Sequence, residues 1–183
     1  MKILLHTCCA PCSVKCVEVL KEREFDITAF WYNPNIHPWT EYQNRKNALT
    51  EYCGENNINV LTKDEYGLRK FICDIYPNFE SDRCKFCYEK RIEETAKRAH
   101  EGGYENFSTT LLISPYQKHE LIREIGSEMA KKYGINFTYI DFRPYFREGQ
   151  RLARNMGLYM QKYCGCIFSE EERYISQKSR SKK

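Results

Sequence analysis

Apolar residues in this chain come in short runs, separated by stretches in which they recur every three or four positions. Lys2–His6 (KILLH) is the first run. A polar, cysteine-bearing turn follows, and then Ser13–Arg23 carries Val14, Val17 and Leu20 at helical spacing. The unit repeats: Ile27–Tyr32 predicts a second strand, Pro38–Asn56 a largely polar helix, Ile58–Leu61 a third strand and Glu65–Ile75 a further helix. Beyond a loop at Tyr76–Asp82, the charged stretch Cys84–Ala99 predicts a helix stopped by Gly102 and Gly103. Phe107–Ile113, Gln117–Tyr133, Phe137–Phe142 and Glu148–Gln161 then continue as strand, helix, strand and helix.

Strands alternating with helices at this spacing predict an α/β fold. It should be a doubly wound, mainly parallel five-stranded sheet with helices on both faces, Rossmann-like or adenine-nucleotide-hydrolase-like. Such sheets bind ligands beyond the carboxyl ends of their strands, where the strand order reverses. Cys8 and Cys9 follow the first strand directly, and Ser108–Ser114 covers the end of the fourth. If those two strands are neighbours, both segments line that crevice. A chain of 183 residues suits one domain, expected over 1–176, with 177–183 as a basic, flexible tail.

Composition sharpens this picture at the cysteines. Ten in 183 residues is high usage for a chain with enough Leu, Ile, Phe and Tyr to fold without disulfide staples. No export signal or membrane-length apolar run is visible, so a reducing cytoplasm is the expected setting. There, clustered cysteines are metal ligands or redox thiols more often than bridges. The net charge of +4 and the KSRSKK end, with aromatics interleaved among Lys and Arg, make RNA a plausible partner.

Three cysteine groups stand out. The first is His6-Thr7-Cys8-Cys9-Ala10-Pro11-Cys12-Ser13, with Cys16 a turn later, and the second is Arg83-Cys84-Lys85-Phe86-Cys87-Tyr88. Both open helices, where free N–H groups and the helix dipole favour thiolates. Spacing alone admits structural zinc, through Cys9-x-x-Cys12 with Cys84-x-x-Cys87, as well as an iron–sulfur site. The third group is Tyr163-Cys164-Gly165-Cys166, in which two cysteines at i and i+2 could form a strained, easily reduced disulfide or complete a metal shell. Cys12 and Cys16 are either ligands or packing residues, and Cys53 and Cys73 are expected to be plain core thiols.

Taken together, HTCCAPCS, RCKFCYEKR, FSTTLLISPYQKHE, DFRPYFREG and NMGLYMQKYCGCIFSEEER resemble the cobalamin-independent epoxyqueuosine reductases of the QueH type. The resemblance runs from the first strand to the last helix and leaves out only the basic tail. It implies the last step of queuosine synthesis, a two-electron removal of the epoxide oxygen from epoxyqueuosine at the tRNA wobble position. It further implies an iron–sulfur cluster, expected as 4Fe-4S, on Cys8, Cys9, Cys84 and Cys87, with Cys164 and Cys166 as a redox-active pair and a separate electron donor. An additional mononuclear iron beside the cluster is the other use of such thiolates, with Asp141 either a candidate carboxylate for iron ligation or proton transfer or, equally, a helix cap or a partner for Arg143. Ser108, Thr109, Thr110, Ser114, Tyr116, Gln117 and His119 are the candidate substrate-binding residues, and Trp31, Tyr32 and Tyr88 candidate stacking rings.

Other classes predict different behaviour. An ATP-dependent tRNA-modifying enzyme would carry a glycine-rich phosphate loop after the first strand, where this chain has Thr7-Cys8-Cys9-Ala10-Pro11-Cys12. A zinc-stabilised tRNA-binding module would be colourless and redox-silent. A thiol–disulfide oxidoreductase would reduce generic disulfides without metal.

Overall fold

Five strands, β1 (Lys2–His6), β2 (Asp26–Trp31), β3 (Asn59–Thr62), β4 (Asn106–Thr109) and β5 (Asn136–Phe137), form one sheet in the order β3-β2-β1-β4-β5. Every pairing is parallel, with Leu4 opposite Thr28 of β2 and Phe107 of β4. The structure, a computed structural model, describes residues 1–76 and 83–180. The helices are α1 (Ala10–Glu22), α2 (Trp39–Glu55), α3 (Leu68–Ile75), α4 (Arg83–Glu101), α5 (His119–Tyr133), α6 (Phe146–Asn155) and α7 (Ile167–Arg180). Among the described residues, no helix is long and apolar enough to cross a membrane.

The strand order has a direct physical consequence. Right-handed crossovers carry the chain outward from β1 through β2 to β3, then back past β1 to β4 and β5, so helices cover both faces and the order reverses between β1 and β4. β1 is therefore central and buried on both sides, which is why Ile3, Leu4 and Leu5 are all apolar and fully buried. The main core gathers around them, with Phe30, Trp31, Phe107 and Leu112. A second, small cluster of Phe71, Ile75 and Cys87, with Phe86, Cys166 and Phe168 against it, ties α3, α4 and α7 together.

Four elements differ from the sequence expectation. The fourth strand ends at Thr109 and a 3-10 turn takes Thr110–Ile113, because the Thr109 hydroxyl accepts the Leu111 N–H and bends the chain out of the ladder. The fifth strand pairs only over Asn136–Phe137, and the Thr138 carbonyl accepts the Ser108 hydroxyl at 2.7 Å. The helix expected over Glu148–Gln161 starts earlier and stops at Asn155. There Gly157, at φ +70°, closes a left-handed cap in which Leu158 N–H reaches Ala153 O and Gly157 N–H reaches Arg154 O. Finally, α7 has no counterpart in the apolar periodicity, and its last residues fall in the stretch expected to be a flexible tail. Positions 77–82 of the expected loop, and 181–183 of the tail, lie outside the described residues.

Candidate metal centre and substrate cleft

The end of β1 is fastened before it delivers its cysteines. Buried His6 meets two acceptors with Nε2, Tyr32 O at 3.3 Å and Asn33 Oδ1 at 3.2 Å, so that nitrogen carries the proton and Nδ1 accepts the Thr109 hydroxyl at 2.9 Å. Burial pushes the ring down to about pKa 4, so it stays neutral. Asn33 Nδ2 in turn donates to Thr7 O. Three strand ends are thus held at the switch point, and the chain turns into α1 with Cys9 as the N-cap and Pro11 inside the first turn.

Cys8, Cys9 and Cys12 are buried, and their sulfurs all lie within 4.8 Å of one another. Cys8 Sγ and Cys9 Sγ are 3.7 Å apart. The Cys12 and Cys9 thiols hydrogen-bond to Cys8 and hold it well below the usual thiol range, with further help from the Thr110 hydroxyl at 3.6 Å. Burial raises Cys9, and the contact with Cys8 raises Cys12. Negative charge in the group is thus favoured on Cys8 over Cys9 and Cys12. Gln161 Nε2 donates to Cys12 Sγ at 3.4 Å, and Ser13 Oγ to Cys9 O at 2.9 Å.

The second pair of expected ligands, Cys84 and Cys87, sits in the first turn and a half of α4. Among the described residues the tight group of sulfurs takes in Cys12 and does not include Cys84 or Cys87. What connects the groups is Arg91. Its guanidinium is fully buried and donates to Cys87 Sγ at 3.0 Å and to Cys87 O at 3.2 Å. Its charge also acts on Cys164 and Cys8. Burial nonetheless pushes Cys87 up to about pKa 12. Among the described residues Arg91 has no carboxylate partner, although a buried cation is stable only beside an anion. Among the described residues, the sulfurs of Cys87, Cys164 and Cys8 are the ionisable groups whose charge Arg91 feels most.

A second buried guanidinium, Arg45 on α2, positions the third cysteine group. It pairs with Glu41 at 2.7 Å and donates to Cys164 O at 2.9 Å and Tyr163 O at 3.0 Å. Ser169 Oγ accepts Gly165 N–H and donates to Cys166 O, which starts α7. Arg83 of α4 pairs with Glu172 of α7. Cys164 thereby reaches the cleft, where Gln117 Nε2 donates to its sulfur at 3.4 Å.

That cleft, of about 450 Å³, has Cys8, Cys12 and Cys164 in its lining, together with Thr110, Ser114, Tyr116 and Gln117 from the segment after β4. Four of the expected substrate residues therefore share it. The other three lie outside its lining: Ser108 bonds to Thr138, Thr109 to His6, and buried His119 to Ser114 O. Asp141 is exposed and bound to Arg143 through both carboxylate oxygens, which holds it down at about pKa 2. Trp31, Tyr32 and Tyr88 are buried, so none offers an open face at the surface. Cys16 and Cys53 are buried apart from the tight group, while Cys73, expected in the core, is exposed on α3.

A family model described as "Epoxyqueuosine reductase QueH" matches residues 3–172. The chain belongs to the QueH family. Over 94% of its length it is 36% identical to Epoxyqueuosine reductase QueH of Dehalococcoides mccartyi, covering 94% of that protein. It is 38% identical to the Thermotoga maritima protein of the same name, covering 93% of this chain and 91% of that one. In fold it is similar to the crystal structure of a predicted subunit of tRNA methyltransferase from Methanocaldococcus jannaschii. That match has a TM-score of 0.58 at 13% identity, over 85% of this chain and 76% of that one. Sequence reasoning missed Arg45, Arg91 and Gln161 as residues of this family member's site. Arg91 alone left a signal, standing one helical turn after Cys87.

Proposed function

We propose that the chain is an epoxyqueuosine reductase that removes the epoxide oxygen from epoxyqueuosine in tRNA and leaves queuosine, in the cytoplasm. The observation that carries the reading is the switch-point site: buried thiols around the buried Arg91 guanidinium, which has no carboxylate partner among the described residues, opening onto a cleft large enough for a nucleoside. Family membership supplies the substrate. The donor set suits an iron–sulfur cluster, because soft thiolates hold iron and Arg91 and Arg45 offset the negative charge of several thiolates. Ligands of a multi-iron cluster hold separate metal atoms and need not converge on one point, which suits Cys8 and Cys9 with Cys84 and Cys87. Cys12 is the additional thiol in reach, for the same cluster or a separate iron.

Removing the oxygen consumes two electrons and two protons and releases water. When bound, the cluster supplies electrons one at a time at the cleft floor. Cys164 and Cys166, as a redox pair, hold two electrons and two protons as dithiol and release them on forming a disulfide; a separate electron donor restores them. Gln117 orients the Cys164 sulfur. Thr110 donates to Cys8 and so leaves that sulfur fewer lone pairs for stray protons. Arg91 stabilises negative charge as it builds up nearby.

The deciding experiment is anaerobic purification with iron, sulfide and zinc analysis, then turnover of epoxyqueuosine-tRNA with a strong reductant. Brown protein with iron and sulfide, bleached by Cys8→Ser or Cys87→Ser, together with conversion to queuosine, is the expected result. Colourless protein holding one zinc and turning over nothing would sink the proposal.

A further inference from the structure

One wall of the cleft is α6, and the outer face of that helix carries a pattern that the chemistry at the floor does not use. Arg147, Arg151 and Arg154 recur at i, i+4 and i+7 and are all exposed. Their common face repeats positive charge about every 4.5–6 Å along the axis. The one acid of the helix, Glu148, faces Lys15 at 3.5 Å. Among the described residues, neither Arg147 nor Arg151 has an ion-pair partner.

At the amino end of the same helix stands an exposed ring. Tyr116 is 85% exposed, yet its ring meets Phe146 edge-on, with centroids 6.0 Å apart and planes at 84°. Its backbone N–H is held by Ser114 Oγ at 3.3 Å. Both rings line the cleft that contains Cys8, Cys12 and Cys164. A large aromatic face held open beside a cationic helix matches what single-stranded RNA offers, an unpaired base plane and a run of phosphates.

We infer that Tyr116 and the outer face of α6 form one docking surface for an RNA loop. Arg147, Arg151 and Arg154 track successive phosphates, while Tyr116, backed by Phe146, stacks on the base beside the nucleotide that enters the cleft. The inference rests on the tRNA-substrate reading above and adds where the loop sits. A duplex presents phosphates but no free base face, so it satisfies only half of the surface.

The test uses the full, metal-loaded chain and a fluorescein-labelled RNA hairpin, with a blunt RNA duplex of equal length as comparison, titrated over a range of salt concentrations. Arg147→Gln with Arg151→Gln should flatten the log Kd against log salt slope by about 1.4, since each lost contact to a single strand removes about 0.7. Tyr116→Ala should weaken hairpin binding at least about five-fold and abolish the preference over duplex, with Tyr116→Phe like wild type. Arg23→Gln, at the opposite end of the sheet, should change neither. Iron content and visible spectrum report whether each variant is intact. An unchanged slope and an unchanged hairpin preference in intact variants would overturn the inference. If these changes act as expected but wild-type protein leaves epoxyqueuosine-tRNA unreduced, the docking surface stands and the reductase assignment falls.

Discussion

Gly165 shows how little freedom the cysteine turn has. It sits at φ +148°, and a Cβ there would meet Ile36 at 3.2 Å and Arg45 Nη1 at 3.4 Å. Gly165→Ala should therefore cost about 1–3 kcal/mol in denaturant unfolding and disturb Cys164 more than Cys8. Arg91→Met separates charge from packing. A buried charge replaced by an apolar side chain of similar volume costs the fold little, so thermal stability without metal should change by no more than about 1 kcal/mol. Iron and sulfide content should nevertheless drop sharply; full retention of both would show that the guanidinium has no part in holding the site. At this scale the sequence made the cysteines conspicuous by spacing, and it placed Cys8 and Cys9 correctly at the end of β1. It left Cys12 undecided between ligand and packing residue, because Cys12 and Cys16 stand one helical turn apart and could simply pack together. Only side-chain directions bring the sulfurs of Cys8, Cys9 and Cys12 to one spot.

Among the elements, α5 and β5 are fitted together through Gly126, whose added Cβ would lie 2.3 Å from the Phe137 ring. Gly126→Ala gains about 1 kcal/mol of helix propensity, but it forces that ring out of place at an overpacking cost of about 1–3 kcal/mol. A lower melting temperature is the expected net result, and a higher one would mean that the edge of the sheet yields freely. β1, α1, β2 and α2 were legible because their apolar spacing and the cysteine turn agree. The ends of β4 and β5 were not, because Phe107–Ile113 and Phe137–Phe142 are apolar enough to read as continuous strands. A Thr109 hydroxyl claiming one N–H, and an edge position with a single neighbour, cut them short instead. α7 escaped notice because apolar positions are sparse in a mostly charged and polar stretch, and its Phe168 finds its partners, Phe71, Ile75 and Cys87, on elements distant in sequence.

Across the whole molecule, acid should loosen the fold in a defined window. Burial among Tyr66 and Phe71 lowers His37 from 6.5 to about 4, and its Nδ1 has no hydrogen-bond partner among the described residues. The unfolded chain therefore binds more protons than the native one between those values, so stability falls as pH drops from about 6.5 and levels off near 4. His6 contributes in the same direction. His37→Gln should remove about half of the slope in that window, read from urea midpoints at several pH values, and an unaltered slope would place the titration elsewhere. Asp141 acts in a lower window, since its stabilisation is present above 3.8 and is lost as pH falls through about 2. What the sequence by itself determined was the alternation of strand and helix, the parallel sheet and the family, because local periodicity and contiguous motifs are written in neighbouring residues. The tertiary structure decided which strands adjoin, and so which thiols share the switch point, that Arg91 and Arg45 lie among them, and that Tyr116 and α6 face one cleft. Those facts depend on pairing and burial between residues far apart in the chain, and no local pattern encodes them.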